Sequence, residues 1–192
     1  LILPLARVRG HSITTFSCYI MSVGRLNWLF RRAAAAIHHR VHVGMWNFVA
    51  FHPKYGSLFQ PVDDFLSGST QAYQYVQNEL CTAENVRHLR EACSESVYEA
   101  IQESSTELEE WRRENGDKSG MIFDIVEPYF QEIQYPENFE SASSITASVT
   151  FYAQVRQQSD PDTVQHRIDG FDFKTEWDPQ DGTGEWKIVS IF

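Results

Sequence analysis

Along this chain the apolar positions change period once. From Pro61 onward they first recur every three or four residues, and after Asn115-Gly116-Asp117 they alternate. Pro61-Val62-Asp63-Asp64 reads as a helix start, with acids where the helix dipole favours them. Phe65, Ser69, Ala72, Tyr73, Val76 and Leu80 then mark a helix over about 64–80. A short helix is predicted over 82–93, carrying Val86, Leu89 and Arg90. Ser94 or Ser96 caps a further one, with Val97, Tyr98, Ile101, Leu108 and Trp111, ending near Glu114.

Beyond the breaker, 121–133 reads as a strand interrupted at Glu127-Pro128, the mark of an edge or a bulge. Over 144–156, Ile145, Ala147, Val149, Phe151, Ala153 and Val155 alternate with Thr146, Ser148, Thr150, Tyr152 and Gln154, as in a half-buried antiparallel strand. A turn follows over 157–162, then a strand over 165–177. There Ile168 and Phe171 are out of phase, which places a bulge at Gly170. Residues 178–184 turn the chain and 185–192 form the last strand, with Trp186 and Ile188 alternating against Lys187 and Val189. Helices followed by a meander predict an α+β domain: N-terminal helices packed on a curved, mostly antiparallel sheet of about four strands.

The front of the chain follows another pattern. After Met21, the residues Leu26, Leu29, Phe30, Ala33 and Ile37 form one helical stripe, while Arg25, Arg31, Arg32, His38 and His39 fall on the other side. Residues 44–62 are aromatic, punctuated by Gly and Pro and poorly periodic, and read as a connector. The expected organisation is a basic leader over 1–43 (its true start at Met21), an aromatic connector over 44–62 and a domain over 63–192.

Charge sharpens this division. The 192 residues hold 16 Lys+Arg and 26 Asp+Glu, a formal net charge of −10. Residues 1–62 contain seven basic residues and no acid, which leaves −17 on the remainder. An Arg-rich, acid-free amphipathic N-terminus is the pattern of a mitochondrial or plastid transit peptide, and also one that an anionic membrane surface attracts. A body at −17 repels phosphate backbones, so no direct DNA binding is expected. No apolar run reaches the 18–20 or so residues that span a bilayer. Three scattered cysteines, Cys18, Cys81 and Cys93, form no metal pattern and no disulfide framework.

The stretch FLSGSTQAYQYVQNELCTAENVRHLREACSESVYEAIQE resembles the opening of the domain named after the mitochondrial inner-membrane translocase subunit 44, within the nuclear-transport-factor-two-like superfamily. Leu89, Ser94, Val97, Tyr98 and Ala100 carry the likeness, with Phe171-Asp172-Phe173 and Gly184-Glu185-Trp186-Lys187-Ile188-Val189 near the end. The resemblance covers about 63–192. It implies a cone-like fold around an apolar pocket, and a non-enzymatic protein of the mitochondrial matrix held peripherally on the inner membrane. The partners it implies are inner-membrane lipid and the import or biogenesis machinery. A component of the large mitochondrial ribosomal subunit is an alternative, and a small-ligand-binding cone or isomerase-like enzyme is another. The long charged region that precedes the domain in the import tether has no counterpart here, which counts against motor recruitment.

Candidate sites follow from both lines. Phe151, Phe171, Phe173, Trp177 and Trp186 are expected either as core or as the lining of an apolar pocket. Trp46, Phe48, Phe51 and Tyr55 are candidates for membrane contact, since aromatic side chains favour the interface. Asp124, His166, Asp169 and Asp172 are the residues an isomerase would draw on. Asp172, between two inward phenylalanines, is expected to point away from them, and His166 to sit at the surface. His38, His39 and His42 lack a Cys or carboxylate to complete a metal site. No catalytic residue, metal or cofactor is expected.

Overall fold

The computed structural model describes residues 24–82, 86–115 and 120–192, so the expected start at Met21 and Cys18 lie outside the described residues. Four α-helices precede an open antiparallel sheet: α1 (Arg25–Ala50), α2 (Val62–Thr82), α3 (Leu89–Ala92) and α4 (Glu95–Asn115). Strands β1 (Met121–Gln134), β2 (Ser143–Gln157) and β3 (Asp160–Asp178) form a meander of long strands. The short β4 (Gly182–Thr183) and β5 (Lys187–Ile191) both pair with β3. The α+β architecture expected from the change of period is the one observed, with five strands where about four were expected.

The inward-facing residues of the sheet, Val149, Phe151, Phe171 and Phe173, are buried against Phe65, Tyr73 and Val76 of α2 and Ile101 of α4. Tyr73 stacks on Phe151 at 4.4 Å and meets Phe171 edge-on at 5.5 Å. Such aromatic pairs add to the area they bury. Phe151 and Phe171 therefore belong to the solid core.

Several boundaries differ from the sequence reading. Val86–His88 is a 3-10 turn leading into α3, so the helix expected over 82–93 is only four residues of α-helix. β1 runs unbroken through Pro128, which an edge strand tolerates, with bulges at Phe123/Ile125 and Phe130/Glu132. Gly170 is no bulge towards β2, because it pairs in register with Thr150. Its missing side chain instead leaves room for the Phe192 ring, whose carbon would lie 2.2 Å from an added Cβ. Ile168 and Phe171 are out of phase because they occupy opposite faces of the sheet.

The expected leader and connector need the largest correction. The line drawn between residues 43 and 44 falls inside α1, and the described part of the leader is packed on the domain. Trp28 and Ala35 cluster with Tyr152 on the outer face of the sheet, while Trp46 enters the main core. β2 is accordingly buried on both faces at its centre, not on one: Phe151, Tyr152 and Ala153 are all buried. The wheel misjudged the buried face because the docking side of α1 is made of two tryptophans, an alanine, Arg32 and His39 in place of an aliphatic stripe.

At the turn before β4, Gly182 has φ +86°, and a Cβ there would sit 2.4 Å from the Leu58 carbonyl oxygen. Strain and clash act together, so Gly182→Val is expected to lose about 1–3 kcal/mol or more of stability. A urea melt monitored by tryptophan fluorescence checks this.

Candidate functional site

The sequence of α1 favours a helix without stabilising its start. Leu, Arg and the run Ala33–Ala36 are strong helix formers, whereas Gly44 costs about 1 kcal/mol relative to Ala. Gly24 offers no side-chain cap, the first turn holds no acid, and Arg25 sits at the positive end of the dipole. The sheet supplies what the helix lacks. The Trp28 indole N–H donates to the Arg167 carbonyl at 3.1 Å, and the ring meets Tyr152 and His166 edge-on at 6.1 and 5.1 Å. The Arg32 guanidinium forms a two-pronged pair with Glu127 and lies 5.2 Å over the Trp28 ring. Tyr129 donates its hydroxyl to the same carboxylate at 2.7 Å.

Farther along, α1 passes the outer edge of β1. The Phe130 amide donates to His39 Nδ1 at 3.1 Å, and the His39 ring stacks on Phe130 at 5.7 Å. His42 lies beside the Gln131 carbonyl. Trp46 then stacks on Phe130 and Trp186 with Phe65 tilted against it, and its indole N–H donates to the Gln60 carbonyl at 2.8 Å. The helix is a strap running from β3 across the outer face, over β1 and into the core.

Burial holds the His39 imidazole below the usual histidine range, and the nearby His42 adds to the effect. His42 is lowered too, by burial and by His38, against the Gln131 carbonyl and Glu132, which pull it upward. With the folded values below the unfolded one, the unfolded chain binds more protons as pH falls below about 6.5, so docking of α1 weakens there. A lower thermal midpoint at pH 5.5 than at pH 7.5 is expected, with a smaller difference in His39→Gln.

The side of α1 opposite the strap contacts is apolar and open. At 100° per residue, Trp28, Ala35 and Trp46 fall within roughly 20° of one another. Leu26, Phe30, Ile37 and Phe48 fall roughly 160–200° away, and they are 72%, 74%, 72% and 79% exposed. Leu29, Val41, Met45 and Phe51 widen the ridge. Arg25, Arg31 and Arg40 are exposed beside it, and no acid lies anywhere on the helix.

The four proposed membrane contacts therefore separate. Phe48 and Phe51 are exposed, the latter at 84%. Trp46 is fully buried and cannot touch a bilayer, a correction that follows from its place between Phe65, Phe130 and Trp186. Tyr55 is half-buried, stacked between His52 and Phe139 at 5.0 and 5.8 Å, beside the Lys54–Glu140 pair. The ridge from Val41 to Phe51 was missed because the helix was ended at residue 43. Its signal was the continuation of the same three-and-four spacing.

The pocket candidates separate as well. Phe173 and Trp186 border a half-open cavity of about 230 Å³, with Gln60, Phe65, Ser69, Ala72 and Ile188. Trp177 lines a second hollow of about 380 Å³ beside Glu176, Asp178 and Asp181. Phe151 and Phe171 line neither.

The candidate isomerase residues do not converge on either cavity. Asp124 is paired with Arg156, and Asp169 accepts from the Tyr73 hydroxyl at 2.6 Å and from Arg167 at 3.0 Å. Asp172 lies on the sheet face opposite Phe171 and Phe173, and His166 is half-buried against Trp28, not at the surface. Among the described residues no set of three His, Cys, Asp or Glu side chains is placed to hold a metal ion. Burial pushes the Cys93 thiol up to about 12. No helix of the described residues is long and apolar enough to cross a membrane. Compared with models of known families and with curated proteins, the chain matches neither.

Proposed function

We propose that this chain is a non-enzymatic domain that attaches peripherally to an anionic membrane through the exposed ridge of α1. The observation that carries this reading is a single helix whose docking face of Trp28, Arg32, Ala35, His39 and Trp46 is locked to the sheet, while an apolar face is left open between arginines. Leu26, Ile37 and Phe48 recur at eleven-residue spacing, about 3.67 per turn, close to the period of a straight helix. A straight ridge suits a flat surface, whereas a two-stranded left-handed coil favours the tighter heptad period.

Electrostatics orients the domain. Each exposed arginine near an anionic surface contributes about 1 kcal/mol. The acidic remainder sits behind the helix, and at physiological salt its repulsion fades over about 8 Å. The resemblance to the translocase-subunit-44-like domain adds a location and a role: the matrix face of the mitochondrial inner membrane, in support of import or membrane-protein biogenesis. The acidic body weighs against an rRNA-facing role.

Cell fractionation tests the location. Tagged chain is expected in mitochondria and released by carbonate. Cosedimentation with large ribosomal subunits would replace this reading with the ribosomal one, and a cytosolic chain would overturn both.

A further inference from the structure

Among the described residues, the outer edges of β1 and β5 are closed. On β1, Pro128 offers no N–H, two bulges disturb the ladder, and His39 and His42 sit against Phe130 and Gln131. On β5, the Ser94 amide donates to the Ile188 carbonyl at 2.8 Å. These are the ordinary ways in which edges are kept from pairing with other chains.

The stretch of β3 beyond the end of β5 differs. Gly170 and Phe192 exchange both backbone hydrogen bonds, at 2.7 and 2.8 Å, so Gly170 faces the β5 side of β3. The register with β2 is uninterrupted from Gln165 to Trp177, so alternation turns the N–H and C=O of Ile168 and His166 to that same side. Val164 follows in the same order. β5 ends level with Gly170, and among the described residues no strand continues its line along β3. Between Thr163 and Ile168 there is neither Pro nor Lys, and Arg167 is turned inward onto Gln77 and Asp169. The flanks are built: Trp28 lies on the outer side against His166, and α2 lies on the inner side through Tyr73 and Gln77.

We propose that this edge of β3, through the backbone of Val164, His166 and Ile168, binds an extended basic segment of a partner protein, added as an antiparallel strand in line with β5. Backbone pairing supplies the attachment, and side chains supply the choice of partner. An antiparallel strand in this slot starts beside Ile168 and Phe192, where apolar residues fit. It ends beside Asp160 and Asp162, two exposed carboxylates of β3, while the Arg156 guanidinium nearby is already paired with Asp124 of β1. Lysine or arginine at the C-terminal end of the segment complements that excess. This site is separate from the ridge on α1, so neither proposal depends on the other.

The test is titration of the full chain with the peptide acetyl-Thr-Val-Thr-Val-Lys-Lys-amide, followed by amide NMR shifts. Shifts at Val164, His166 and Ile168 are expected, with affinity about tenfold lower when the peptide amides that face β3 are N-methylated. His166→Pro removes one edge donor without touching the β2 ladder and is expected to weaken binding by a similar factor. Its fold is checked by circular dichroism, and the methylated peptide keeps the test valid should that variant unfold. Absence of binding at millimolar peptide, or binding indifferent to methylation, overturns the proposal. So does binding that appears only in a chain begun at Met21, since the chain's own front would then occupy the slot. A dimer that His166→Pro dissolves would assign the edge to a second copy and overturn it equally.

Discussion

Trp46→Ala is expected to cost about 3–5 kcal/mol, the usual range for truncating a buried aromatic residue. Trp46 is completely buried, with Phe59, Phe65, Phe130 and Trp186 within 4.9–6.0 Å of its ring centre. Removal leaves a cavity among rings that cannot collapse together, and it strips the Gln60 carbonyl of its indole donor. It also detaches the C-terminal end of the strap from the core. In a domain of this size about 1 kcal/mol shifts the thermal midpoint by about 2–4 °C, so a fall of roughly 6–20 °C is expected. Differential scanning calorimetry checks it. A fall of only a degree or two would show that residues 44–50 are a connector after all, not part of the fold.

The second large effect is on membrane binding. The triple replacement Phe30→Ser, Ile37→Ser and Phe48→Ser removes three side chains that are each more than 70% exposed. Burying such a side chain fully contributes about 1.5–3 kcal/mol, so three lost together lower partitioning by at least a thousandfold. Folding stability is expected to stay within about 0.5 kcal/mol for each replacement, because none of the three touches the core. Sedimentation with vesicles containing anionic lipid reads the first effect, and a urea melt reads the second. Replacing the exposed Arg25, Arg31 and Arg40 with Gln is expected to weaken binding less, and to remove most of its salt dependence.

How much of this was legible in the sequence varies by element. The helices α2 and α4 and the strands β2 and β3 could be read because each has one dominant period and a breaker at its end. α1 could be read as a helix but not as a strap. Its buried face is spelled Trp28, Arg32, Ala35, His39 and Trp46, a mixture that hydropathy ranks as polar, and only the partners Glu127, Tyr152 and Arg167 make it a docking face. Those partners lie about a hundred residues or more away, and no local pattern contains them. The exposed ridge was half-legible: Leu26, Phe30 and Ile37 stood out, while Phe48 and Phe51 were assigned to a connector. Gly170 shows the same limit. A glycine in a strand signals close approach or a bulge, and the choice was decided by Phe192 at the far end of the chain. Alternation on β2 predicted one wet face because nothing local revealed that α1 covers Tyr152.

The most direct test of the central claim is a nitroxide scan along α1, with oxygen accessibility read on the free chain and on vesicles containing anionic lipid. A rise at positions 30, 37 and 48 on vesicles is expected, with the half-buried positions 36, 43 and 50 unchanged, because the ridge enters the interface while the strap stays docked. No rise at 30, 37 and 48, or a rise equal on both faces of the helix, would contradict it.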